Sequence, residues 1–382
     1  MITRYDFIIC GGGLSGLMLA RGIIRDKSLI NKTILIVERE DKNTNDRTWC
    51  FWENKGFEDW DLVHKTWQKG FYISKNFKKS IDFSSNSYSY KMIRSIDFYA
   101  SYKAEIISNP NVQWLKSKVE SINQDTDRAE VVTQSGTFWS QVVFSSIVTP
   151  EVLHRAQNHP YLLQHFLGWY VETTNKCFDS KSMVLMDFSV DQGENTRFMY
   201  VLPLSESKAL VEYTLFSKSW LPQKEYTKAI DSYLKNLNSG SYKIIETEKN
   251  AIPMTTYPFY KNNRKRIIHI GMAGGWAKPS SGFTFYRSIK FIDEILLCLK
   301  SNSLPSNKMV KSRFLFYDRM LLKVLEKNNR LGRVIFDDLF RNNSPIIVLK
   351  FLSQETTFFQ ELKILSSFSN KMKWLFFRAL FR

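Results

Sequence analysis

No run of about 18 apolar residues occurs in this 382-residue sequence, so a membrane-spanning helix is not expected. An export signal is not expected either, because Asp6 precedes Phe7-Ile8-Ile9-Cys10 and three glycines follow, where a signal needs an uninterrupted apolar core. Cysteine is scarce: Cys10, Cys50, Cys177 and Cys298 lie far apart without C-x-x-C spacing. That spacing supports neither a zinc site nor a disulfide framework, implies no metal, and fits a reducing cytoplasm. Acidic residues are the minority, 37 against 54 Lys and Arg, for a net charge of +17. The excess calls for an anionic partner: nucleic acid, anionic lipid or a phosphorylated cofactor. RNP, zinc-finger and helix-turn-helix signatures are missing and the basic residues are dispersed, which disfavours nucleic acid. No repeat at a period of about 20 to 50 residues stands out. Aromatic residues, in contrast, are plentiful, with 29 Phe, 17 Tyr and 10 Trp making 15% of the chain. Such a surplus suggests an aromatic-lined site as well as a core.

The length calls for two interleaved domains or one domain with a large insertion. Tyr5 to Cys10 reads as a buried strand, Gly11 to Gly16 as a turn, Leu17 to Ile24 as helix, and Thr33 to Val37 as a second strand. Inside this βαβ unit Gly11-Gly12-Gly13-Leu14-Ser15-Gly16 satisfies G-x-G-x-x-G, and Glu38 closes the second strand. Each part has a mechanical task. Gly11 makes the tight turn, and Gly13 with Leu14 and Ser15 brings backbone N–H groups to a pyrophosphate. Gly16 permits helix–strand packing, and Glu38 accepts from ribose hydroxyls. FAD and NAD both use this geometry. The distant stretch His269 to Gly282, with Gly271, Gly274 and Gly275 after a strand and before a helix, lets a second backbone segment approach an extended ligand. A ligand touched by both ends of the domain suggests FAD.

Further along, helix is expected from about Met92 and over Ile289 to Leu299, strands over Met183 to Phe188 and Phe198 to Leu204, and a linker at Ser301 to Asn307. The last eighty or so residues read as helical. Ala209 to Phe216, ALVEYTLF, reads as a strand with one apolar face (Ala209, Val211, Tyr213, Leu215) and one mixed face (Leu210, Glu212, Thr214, Phe216). Taken alone, that strand has Glu212 facing water on a one-sided sheet.

Six short motifs follow one another in order: Asp46-Arg47-Thr48-Trp49-Cys50-Phe51-Trp52, Gln164-His165-Phe166-Leu167-Gly168-Trp169, Met186-Asp187-Phe188, Val211-Glu212-Tyr213-Thr214, Ile252-Pro253-Met254-Thr255 and Gly274-Gly275-Trp276-Ala277-Lys278-Pro279-Ser280-Ser281-Gly282. Together, over roughly residues 5 to 360, they resemble the bacterial type of flavin-dependent lycopene β-cyclases. That family is similar in fold to p-hydroxybenzoate-hydroxylase-like flavoproteins. The resemblance implies an α/β fold: a Rossmann-type FAD-binding domain (1–48, 92–160, 264–300), an antiparallel β-sheet substrate domain (49–91, 161–263) and a helical C-terminal region (301–382). The hydroxylases usually carry Asp after the glycine ending the late strand; here Met272 follows Gly271, which favours a cyclase over a monooxygenase.

The resemblance further implies acid-catalysed, non-redox closure of the ψ-ends of lycopene to β-rings, through γ-carotene to β-carotene. Reduced FAD would stabilise the cation, and NAD(P)H would keep it reduced. Glu212 matches the position proposed for the acid, and an apolar cavity would keep its proton on. Arg47, and less firmly Arg94, would meet the cofactor. Trp49, Phe51, Trp52, Trp169, Phe188, Tyr200, Tyr213 and Phe285 are expected either as cation-facing walls or as plain core. Asp187 and His165 are expected as hydrogen-bonding scaffold or as neighbours of the site. Lycopene dissolves in lipid, so a peripheral-membrane, cytoplasmic protein is implied, as a monomer or weak oligomer. Residues 371–382 place Lys371, Arg378 and Arg382 within about 40° on a helical wheel, suiting an anionic membrane surface or a docked helix with a wet basic edge. Two other readings stay open: a flavin monooxygenase or reductase acting on another hydrophobic substrate, and a non-catalytic carotenoid carrier.

Overall fold

The computed structural model describes residues 3–54, 57–301, 303 and 312–381. The linker expected at 301–307 lies outside the described residues except for Ser301 and Ser303, as does Arg382. The first sheet contains β1 (Arg4–Cys10), β2 (Ile34–Glu38), β8 (Val112–Lys116), β9 (Val119–Gln124), β10 (Ala129–Thr133), β11 (Gly136–Ser145) and β17 (Ile267–His269). Its order is β8-β2-β1-β11-β10-β9, with β17 parallel to β11. Strands β8, β2, β1 and β11 run parallel, and every residue of Ile34–Glu38 is buried, as a strand covered on both faces requires. Helices α1 (Leu14–Arg25), α2 (Ser95–Ile107) and α5 (Phe285–Lys300) pack over it in one apolar cluster. Helix α3 (Pro150–Ala156) leads to the second sheet.

That sheet holds β5 (Lys69–Ser74), β6 (Phe77–Asp82), β12 (Tyr161–Thr173), β13 (Ser182–Asp187), β14 (Thr196–Pro203), β15 (Lys208–Ser217) and β16 (Tyr242–Thr255), in the order β16-β12-β15-β14-β13-β5-β6. It is mixed rather than antiparallel throughout, because β5 returns beside β13 in parallel. A small antiparallel sheet, β3 (Thr48–Glu53), β7 (Ser89–Arg94) and β4 (Lys65–Trp67), stands between the two. Met92, expected in helix, sits in β7, and α2 starts three residues later.

The second sheet is covered on both faces by different parts of the chain. On one face α4 (Gln223–Asn236) buries Tyr226, Ile230 and Leu234, spaced i, i+4, i+8, against Val211, Tyr213 and Leu215. The other face meets the C-terminal helices α6 (Ser312–Lys327), α7 (Gly332–Asn342), α8 (Pro345–Leu352), α9 (Phe358–Ser366) and α10 (Asn370–Leu380). A capping box starts α9, where the Thr357 hydroxyl accepts from Gln360 N while the Gln360 side chain accepts from Thr357 N. One buried ion pair ties these helices to the glycine-rich late segment: Lys278 Nζ donates to both Asp318 oxygens, at 2.5 and 2.8 Å.

Candidate active site

A continuous cavity of about 670 Å3 runs from the C-terminal ends of β1 and β2 to the second sheet and α7–α8. Its polar pole is built by the fingerprint. Gly11 has φ +107°, and a Cβ there would collide with the Ser146 hydroxyl at 2.1 Å. Gly13 is the residue before α1, no side chain caps that helix, and a Cβ at 13 would meet nothing within 4 Å. The first-turn N–H groups at Leu14 and Ser15 therefore open onto the cavity, a site for anionic oxygen. Gly16 lies inside α1, where a Cβ would strike Gly11 O at 2.0 Å, so its task is packing. Glu38 Oε2 accepts from Gly12 N at 2.6 Å and Oε1 from Glu40 N at 3.0 Å. Arg39, Lys42, Arg47 and Lys118 line the same pole with positive charge. Two buried polar atoms beside this channel, Gln164 Oε1 and Ser281 Oγ, have no hydrogen-bond partner among the described residues. Open first-turn amides, basic walls and unpaired polar atoms fit a phosphate-bearing dinucleotide.

The late segment contributes Gly271, Met272 and Ser280 to Phe285. Gly271 (φ +56°) approaches Ser15, and Gly282 (φ +72°) approaches Gln164. Gly274 and Gly275, expected at the cofactor, do not line this cavity. A Cβ on them would meet His269 O and the Phe259 ring.

At the apolar pole the even-numbered residues of β12, β14 and β15 face inward: Phe166, Phe198, Tyr200, Leu210, Glu212, Phe216. Phe283, Phe336, Phe340 and Leu352 close the opposite side. Glu212 accepts from Thr214 Oγ1 at 2.5 Å. Burial, reinforced by the charge of Glu248, pushes its carboxyl up to about 8, so it carries a proton at neutral pH. Tyr200 Oη lies 2.6 Å from Tyr90 Oη, and burial keeps both phenols protonated.

Of the eight aromatic residues expected as walls or core, Trp49, Tyr200 and Phe285 line the cavity and the other five are core, while His165 and Asp187 serve as hydrogen-bonding scaffold. Trp169 and Tyr213 belong to the α4 face. His165 is fully buried on that face too, between Ser217 Oγ at 2.6 Å and Tyr226 Oη at 2.5 Å, and burial lowers its pKa to about 4. Asp187 accepts from Tyr233 Oη at 2.9 Å, on α4. Phe188 packs against Phe198 and Phe336 in the core, Phe51 stacks on Phe285 with ring centres 4.7 Å apart, and Trp52 meets Phe283 edge-on. Alternation explains the first three: odd-numbered neighbours of inward residues must point to the other face. Arg94 pairs with Glu246 at 2.5 Å rather than lining the cavity. Thr48, Glu248, Lys118 and the α7–α8 wall had no sequence assignment and do line it.

This architecture is the mixed α/β fold of the FAD-dependent flavoproteins. It is similar over 98% of both chains to a geranylgeranyl bacteriochlorophyll reductase-like protein from Thermoplasma acidophilum (TM-score 0.62, 14% identity). It is also similar, over 99% of this chain and 93% of the other, to a tryptophan halogenase from Shewanella frigidimarina (TM-score 0.59, 13% identity). Within that class, the family model described as "Lycopene cyclase protein" matches residues 6–373, and the chain belongs to the lycopene cyclase family. Relatives include neoxanthin synthase of Solanum lycopersicum, 26% identical over 82% of this chain, and capsanthin/capsorubin synthase of Citrus sinensis, 25% identical over 81%. The matched regions span 64% and 63% of those two proteins.

Proposed function

We propose that the protein is a lycopene β-cyclase that closes each ψ-end of the polyene by protonation, without net oxidation. The supporting observation is Glu212: a carboxyl held protonated by burial, at the aromatic end of a cavity whose other end is a dinucleotide cradle. Its proton adds to the terminal double bond and leaves a tertiary cation, which the neighbouring double bond attacks. The ring faces of Phe166, Phe198, Tyr200 and Phe216 attract that cation, each by about 0.5 to 2 kcal/mol when dry. α7 and α8 keep water from capturing it. The cradle from Gly11 to Ser15, with Arg47 and Lys118, would hold FAD, which when reduced by NAD(P)H supplies an electron-rich surface to the cation.

The polyene must come from lipid. No described helix is long and apolar enough to cross a membrane. Exposed Phe358, Phe359, Trp374, Phe377 and Phe381 on and beside α9 and α10, with Lys371 and Arg378 exposed as well, form the face we assign to an anionic bilayer surface. Phe377→Ser with Phe381→Ser is expected to weaken co-sedimentation with phosphatidylglycerol vesicles; unchanged binding removes that face from the reading.

Parallel incubations with lycopene, FAD and NADPH, one anaerobic and one with oxygen, test the activity itself. A cyclase gives a ring-bearing product of unchanged mass. A product that needs oxygen and gains its mass identifies a monooxygenase, and lycopene returned intact identifies a carrier.

A further inference from the structure

Glu212 has a partner that the sequence conceals. One row crosses the second sheet through Glu248 on β16, Gly168 on β12, Glu212 on β15 and Tyr200 on β14, each directly paired with the next. Residues paired across strands share a face, so both carboxylates border the cavity on either side of a position without a side chain. A Cβ at residue 168 would lie 3.0 Å from Leu210 Cδ1 and 3.5 Å from Glu212 Cβ. Glycine therefore keeps a lane open between two acids whose strands stand about 10 Å apart, twice the interstrand spacing.

The two carboxylates live in different surroundings. Glu212 has one donor, Thr214 Oγ1. Glu248 has two, Thr48 N at 3.2 Å on one oxygen and Thr48 Oγ1 at 2.7 Å on the other, and Tyr170 Oη lies 2.7 Å from that same hydroxyl. Arg47 adds a favourable positive charge, while Asp46, ahead of β3, opposes it. Cys50 on β3 and Tyr170 on β12 face Glu248 as neutral groups, held protonated by burial. Burial raises both glutamates, but the donors on Glu248 favour its anion, and two like charges in one cavity favour a single shared proton. Glu212, pushed up to about 8, keeps its proton at neutral pH, and Glu248 is the one of the two whose hydrogen-bond donors favour the anion.

We propose that Glu248 is a second catalytic residue of the cyclisation: the base that takes the proton whose loss completes each ring, and the counter-ion of the cation before that. The inference rests on the cyclase reading. Glu212 gives its proton to the terminal double bond, and the neighbouring double bond's electron pair forms the ring bond. The C–H pair at the ring carbon bearing the polyene then becomes the ring double bond, and its proton goes to the Glu248 carboxylate. No electron is gained or lost. One proton has passed from Glu212 to Glu248 and returns to Glu212 before the next ring.

The test is the pH dependence of turnover by the flavin-loaded, reduced protein. Wild type is expected to give a bell, with Glu248 setting the acid limb and Glu212 the basic limb. Glu248→Gln is expected to lower turnover about a hundredfold or more at unchanged flavin content, with the acid limb gone from what remains. Thr48→Val, which removes one donor to the Glu248 anion, is expected to move the acid limb to higher pH while the basic limb stays. A purely structural Glu248 would lower the height of the bell and leave both limbs in place, and that result overturns the inference. So does Glu248→Gln turnover within about threefold of wild type, or an unmoved acid limb in Thr48→Val. Wild-type protein that forms no ring overturns the cyclase reading, and this inference with it.

Discussion

On β15, Glu212 and Tyr213 are adjacent in sequence and belong to opposite faces of one sheet. The face bearing Glu212 is built around a cavity, with carboxylates, tyrosines and a glycine left unfilled. The face bearing Tyr213 is closed by α4, and its polar groups, His165 and Asp187, are hydrogen-bonded to tyrosines of that helix. Both faces are rich in aromatic and ionisable side chains, so residue type does not separate them. What separates them is packing: α4 fills one face with Tyr226, Ile230 and Leu234, while the other borders a cavity.

The sharpest break of this comparison uses the adjacent pair. Glu212→Gln is expected to lower cyclisation about a thousandfold with flavin content kept, while Tyr213→Phe stays within about threefold of wild type. Near-normal turnover by Glu212→Gln would remove Glu212 from the chemistry. Next in size is Gly168→Val. Filling the lane between the two carboxylates is expected to lower turnover about a hundredfold with the melting transition still cooperative, because displacing reacting groups by about 1 Å is enough.

Smaller effects come from the closed face. Tyr226→Phe deprives His165 of its Nδ1 partner and Leu221 N of its acceptor. It is expected to reduce unfolding free energy by about 1 to 3 kcal/mol in denaturant titration, with turnover of the folded fraction unchanged. The smallest effect is on pH dependence. The Glu212 carboxyl is raised from 4.5 to about 8 in the fold, so its contribution to stability is full below about 4.5, declines as pH rises, and is gone above about 8. Glu212→Gln lacks that decline. The melting temperature of the variant minus that of wild type should therefore grow between about pH 5 and 8 and then level off.

Much of the polar pole was legible, because a strand, a glycine turn, a helix and a closing Glu38 are consecutive and local. The mixed face of β15 was legible too, since alternation alone separates Leu210, Glu212, Thr214 and Phe216 from their neighbours. The same rule applied along β12 puts His165 and Trp169 on the face opposite Gln164 and Phe166, which residue type alone does not reveal. Glu248 was hidden for another reason. It stands among charged residues in Glu246-Thr247-Glu248-Lys249, which reads as a wet edge, and only its pairing through Gly168 with β15 reveals a buried site. Phe336, Phe340 and Leu352 reach the cavity from over a hundred residues downstream of β15, a distance no local pattern encodes.

The clasp between Lys278 and Asp318 bears on the order in which the molecule is made. Chains leave the ribosome N-terminus first, and domains fold as they emerge. The dinucleotide cradle is complete once α5 is out, while the wall from α7 and α8 arrives some fifty residues later. Until α6 emerges Lys278 has no counter-charge, and until α7 and α8 follow the cavity lacks one of its walls. A maturing chain thus passes through a stage with its glycine turn built and its cavity unsealed, in which, on the proposed reading, a flavin would enter freely and a carbocation would have no shelter.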